Sequence, residues 1–143
     1  MCIARLLLIS TVIIMSAAGA VQIARATEVI TLRAGETTGP NAVFAFDKAA
    51  KQIVVHTTQV GVAGSRVEVT IDNAKKPAFS HIFTTEECKF GDGGSKCEVL
   101  TAYRMILAQF KRGLVARVTV IDAGVMKMDQ TVSLKGFAKS LRG

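Results

Sequence analysis

Polar and apolar residues alternate along much of the chain, and the alternation predicts strands. Glu28 to Arg33 (EVITLR) is the first such run, and the segment from Gly35 to Pro40 reads as a turn. In Asn41 to Asp47, Val43 and Ala45 fall on one face and Phe44 and Phe46 on the other. Gln52 to Thr58 is rich in β-branched residues, and Gly61 and Gly64 interrupt the chain after it. Arg66 to Asp72 is the cleanest case, with Val67, Val69 and Ile71 set inward and Arg66, Glu68 and Thr70 outward. Asp72-Asn73 and Lys75-Lys76-Pro77 make the next turn, and Ala78 to Thr84 reads as a further strand.

From Thr101 to Arg112 the period changes. Tyr103, Ile106, Leu107 and Phe110 recur at i, i+3, i+4 and i+7, which is one face of a helix. Thr101 suits its N-cap, and Gly113 stands where a C-terminal cap glycine belongs, behind Lys111 and Arg112. That apolar face suits core packing, although the basic residues on the other side would also suit a membrane surface. Strands over Leu114–Ile121 and Val125–Leu134 follow, joined by the Asp122-Ala123-Gly124 turn. Gly136 to Leu141 makes a short closing helix, docked by Phe137 and Leu141. The expected fold is mainly β: an antiparallel sandwich or curled sheet with one amphipathic helix near 101–112 and a short C-terminal helix.

The first residues follow a different rule. Arg5 is followed by an uncharged stretch from Leu6 to Ala24, whose apolar heart, Leu6 to Met15, is shorter than the roughly 20 residues that cross a bilayer. Small residues follow, ending in Ala24-Arg25-Ala26. This is the form of a secretory signal peptide over residues 1–26, cleaved after Ala26, with Ala20 the alternative site. A retained anchor would need a longer apolar run. Residues 27–143 then form one domain without an integral membrane span, in the periplasm or outside the cell.

Export changes how charge and cysteine are read. Losing Arg5 and Arg25 lowers the formal net charge from +7 to +5, which reads first as plain solubility and also suits contact with acidic envelope or host-surface components; the expected partner is such a component or an unknown protein. The basic residues are scattered, and nucleic acid would require a denser stripe. Cys2 leaves with the leader, so Cys88 and Cys97 remain for an oxidising compartment and are expected to pair. Their spacing is far from Cys-x-x-Cys, so the bond reads as a structural staple around the turn-forming KFGDGGSK, a flexible tip.

Candidate chemistry is sparse. His56 and His81 are the two histidines, and both fall within strand-like segments. His81 precedes Glu86 and Glu87 closely enough for a His/carboxylate metal site to be a weak candidate, but on a strand it shares a side with Phe79 and Phe83 and reads as half-buried. Glu86 and Glu87 would point apart on a strand, a constraint that a turn relaxes. Gly91-Asp92-Gly93-Gly94 lacks the further carboxylates of a calcium loop and the GK[ST] of a phosphate loop. No nucleophile elbow is present, and no catalytic residue or cofactor is assigned.

The stretch from Phe110 to Leu141, FKRGLVARVTVIDAGVMKMDQTVSLKGFAKSL, resembles the C-terminal part of the invasion-associated locus B family of exported bacterial proteins. The shared features are the turn at Lys111 to Gly113, the alternating strand Val115 to Ile121, the small-residue turn Asp122 to Gly124, and Ser133-Leu134-Lys135-Gly136-Phe137 followed by Ala138 and Leu141. Cys88 and Cys97, ahead of a helical segment, also look like a family feature. The resemblance implies a small periplasmic or surface β-protein, in some pathogens linked to host-cell entry, and no catalytic residues. The expected function is therefore non-enzymatic binding of a partner. The alternative is a small-ligand or metal-binding protein using His81 with Glu86 or Glu87.

Overall fold

The computed structural model describes residues 29–35, 38–101 and 103–142. The expected leader over residues 1–26, with Ala20 and Ala26, lies outside the described residues, as does the Tyr103 side chain. Among the described residues nine strands form two antiparallel sheets. The five-stranded sheet has the order β1 (Val29–Arg33), β2 (Asn41–Asp47), β3 (Gln52–Thr58), β7 (Gly94–Thr101), β6 (Cys88–Gly91). The four-stranded sheet has the order β5 (Phe79–Ile82), β4 (Arg66–Ile71), β8 (Val115–Asp122), β9 (Val125–Ser133). Helix α1 (Tyr103–Arg112) follows β7, and α2 (Phe137–Ser140) follows β9. Neither sheet closes on itself, so the architecture is the sandwich rather than the barrel-like alternative.

The core follows from the alternation. Ala42, Phe44 and Phe46 of β2, Ile53 and Val55 of β3, Val67 and Val69 of β4, and Ala116, Val118 and Val120 of β8 are buried together between the sheets. Four phenylalanines close one end. Phe110 of α1 meets Phe44 edge-on at 5.1 Å and Phe46 at 5.2 Å, and Phe137 of α2 lies 4.6 Å from Phe46. Ile106 is buried beside them and Leu107 packs against the cluster. Ile106, Leu107 and Phe110 of the apolar face of α1 are thus engaged by the core.

On the far side Gln130 of β9 ties the two sheets. Its Oε1 accepts the Ala42 N–H at 2.9 Å and its Nε2–H donates to the Pro40 carbonyl. The Asp72-Asn73 turn has both residues at positive φ, and the Asp72 carboxylate accepts the Leu114 and Val115 N–H groups, each at 2.9 Å. This turn therefore fixes the start of β8, which is more than a chain reversal.

Three local expectations change. The segment within the disulfide is a regular hairpin, β6–β7, with Cys88 opposite Cys97 and Gly91 opposite Gly94, and not a flexible tip. Thr101 ends β7 as the partner of Ile53, so it belongs to the strand. Gly113 does follow α1, but its φ is not positive. Glycine is required there because a Cβ would lie 2.5 Å from Ile71 Cγ2.

Candidate functional site

The β6–β7 hairpin and the turn before it bring together most of the residues singled out by sequence. The disulfide Cys88–Cys97 staples the hairpin, with Cys97 in the core. Glu98 N–H donates to the Glu87 carbonyl at 2.9 Å, one step beyond the last β6–β7 pair. Past that point, among the described residues, β7 has a strand on one flank only, β3. Antiparallel bonding alternates direction, so the Leu100 N–H and C=O face the open flank, as the Glu98 N–H does.

Beside this flank lies a depression of about 500 Å³, lined by His81, Glu86, Glu87, Lys89, Lys96, Glu98, Val99 and Leu100. His81 is presented by edge strand β5, and its ring stacks on Phe79 at 6.1 Å and meets Phe83 edge-on at 5.9 Å. Those two rings account for its half-burial on the shared side of the strand. Glu86 and Glu87 sit in the turn ahead of β6, which relieves the strand constraint. His81 Nε2–H donates to Glu87 Oε2 at 2.8 Å and lies 3.0 Å from Oε1. Glu87 Oε2 also accepts the Thr84 N–H at 2.8 Å. Burial pushes the Glu87 carboxyl up, but the Thr84 backbone and then His81 outweigh it and hold the group below its ordinary value.

His56, on the outer face of β3, is opposite Glu98, and its Nδ1–H donates to Glu98 Oε1 at 3.0 Å. Each histidine therefore takes one glutamate: His56–Glu98 lies within the five-stranded sheet, and His81–Glu87 joins β5 of the other sheet to the turn ahead of β6. Glu86 lines the same depression as His81 and Glu87, yet no group of three or more His, Cys, Asp or Glu among the described residues is arranged to hold one metal ion.

The lysines behave differently. Lys89 and Lys96 are directly opposite one another across the hairpin, and both line the depression. Like charges placed in this way repel and destabilise a sheet. Neither forms an ion pair among the described residues. Sequence reading did not single them out. The available signal was the alternation in Ser95-Lys96-Cys97-Glu98-Val99, which becomes visible once Cys97 is read as an inward strand residue.

Against protein-family models, curated proteins and solved structures, the chain has no match. Among the described residues no helix is long and apolar enough to cross a membrane.

Proposed function

We propose that this is an exported, non-enzymatic binding protein of the envelope or the extracellular space, related to the invasion-associated locus B class by the resemblance over 110–141. Its partner presents acidic groups to the depression beside β7. The opposed Lys89 and Lys96 carry this reading. Two of the three carboxylates around them are already engaged by histidines, Glu87 by His81 and Glu98 by His56. An anionic group placed between the lysines would relieve their mutual repulsion and gain two charge-assisted hydrogen bonds.

The test is capture on immobilised lipopolysaccharide and on a sulfated glycan, at low and physiological salt. The protein is expected to be retained on at least one of them, and Lys89→Glu with Lys96→Glu to abolish retention. Equal retention of both proteins would rule the site out. The alternative, a metal or small-ligand site using His81 with Glu86 or Glu87, has in its favour that the three residues share one depression. Calorimetry with zinc and copper checks it, and the absence of binding heat removes it.

A further inference from the structure

Phe90 lies on the stapled hairpin and is 85% exposed, the most exposed large apolar residue described. Its mate across the hairpin, Ser95, is buried. The hairpin is held firmly: the Cys88–Cys97 bond spans it, and the Gln59 N–H donates to the Ser95 carbonyl at 2.8 Å. An aromatic ring on a rigid support loses little conformational freedom when it is covered, which suits it to anchoring a contact.

Beside Phe90 is a groove of about 270 Å³ where three connections meet. The β3–β4 loop contributes Val60, Gly61 and Val62, the β6–β7 hairpin contributes Phe90, and the β8–β9 hairpin contributes Asp122 and Lys127. The groove has room for one aromatic side chain. Between Asp122 and Lys127, Val125 and Met126 are also exposed, so the apolar surface continues beyond the groove.

The charge of this patch indicates what covers it. The chain as a whole is +7, yet the groove carries one acid and one base, Asp122 and Lys127, and neither forms an ion pair among the described residues. An anionic membrane or glycan would find no net attraction here. A contact that repeats the same patch on both sides requires self-complementarity, with knob and hole on one face and balanced charges. The geometry points to a second copy of this chain, joined across a two-fold axis. Phe90 of each copy fills the groove of the other, and Asp122 of each faces Lys127 of its mate. This surface is separate from the depression beside β7, so either can fail without the other.

Sedimentation equilibrium on the purified protein tests the proposal. The wild type forms a reversible dimer. Phe90→Asp raises the dissociation constant about 30-fold or more while leaving unchanged the melting temperature measured at a concentration where both proteins are single copies, because the ring is exposed there. Lys127→Asp weakens the dimer, and adding Asp122→Lys to it restores affinity, since a two-fold sets each position against the other. A wild type that stays monomeric, a Phe90→Asp dimer as tight as the wild type, or a double reversal no better than the single one overturns the proposal. So does a Phe90→Asp variant that dimerises normally but no longer sediments with phosphatidylglycerol vesicles, which would assign the ring to a membrane.

Discussion

Glu87 links three elements through one carboxylate. It closes its own turn through the Thr84 N–H, holds His81 of β5, and through its backbone carbonyl extends the β6–β7 ladder to Glu98. Its carboxyl is held below the ordinary glutamate value, so the folded state binds this proton less readily than the unfolded chain. The resulting stability is complete above about pH 4.3 and is lost as pH falls through the lower folded value. Glu87→Gln should therefore flatten the acid limb of the stability curve below about pH 4.3 and leave its shape at neutral pH unchanged, as read by urea denaturation across pH. Asp129, held low by the fork from Arg117, contributes with the same sign. Gly61 illustrates a different residue-level constraint, with φ at +91° and a would-be Cβ 2.9 Å from Thr57 Oγ1 and 3.2 Å from Cys97 Sγ. Nothing in the sequence distinguishes it from Gly64, which has open space around it.

At the scale of elements, the stapled hairpin is the part that depends most on chemistry beyond the pattern. Replacing the pair by Cys88→Ser with Cys97→Ala should lower stability by about 2.5–3 kcal/mol in the chain-entropy view, measured by urea denaturation with the slope fitted separately for each protein. Much of the rest was legible. Asn41–Asp47, Gln52–Thr58 and Arg66–Ile71 are strands because each alternates between an interior and an exterior face. Helix α1 was legible from its spacing, and α2 from Gly136, which sits at φ +79° before Phe137 enters the core. The β6–β7 hairpin was hidden because Gly91, Gly93 and Gly94 give poor local strand signal, and β7 gains its regularity from β3, some forty residues earlier in the chain. The candidate site was partly legible in the same way. His81 and Glu87 could be named, but the opposed lysines exist only once the register of that hairpin is known.

For the whole molecule the strand order was the least legible feature. Local turns explain the pairs β1–β2, β2–β3, β4–β5, β6–β7 and β8–β9. The two long-range pairings, β3 with β7 and β4 with β8, hold the sheets together and carry no local sequence signal. Amide exchange should reflect this organisation. The slowest protons are expected in β2, β3, β4 and β8, each with a strand on both sides, and the fastest among strands in the four edges β1, β5, β6 and β9. Within β7 a break is expected, with the Glu98 N–H protected by Glu87 and the Leu100 N–H exchanging quickly on the open flank. Uniform protection along β7 would show that the flank is covered.

The sandwich also has two unlike ends. Val29 pairs with Asp47 at the end plugged by α1, and α2 brings the chain to that same end after β9. Phe90 and the three meeting connections occupy the opposite end. The described chain therefore begins at Val29 and ends at Arg142 about one strand length away from Phe90, roughly 20 Å. The ring end stays free to meet its mate, and in such a dimer Val29 and Arg142 of one copy lie on the far side of the joint from those of the other, so that the assembly has two remote ends and one central seam.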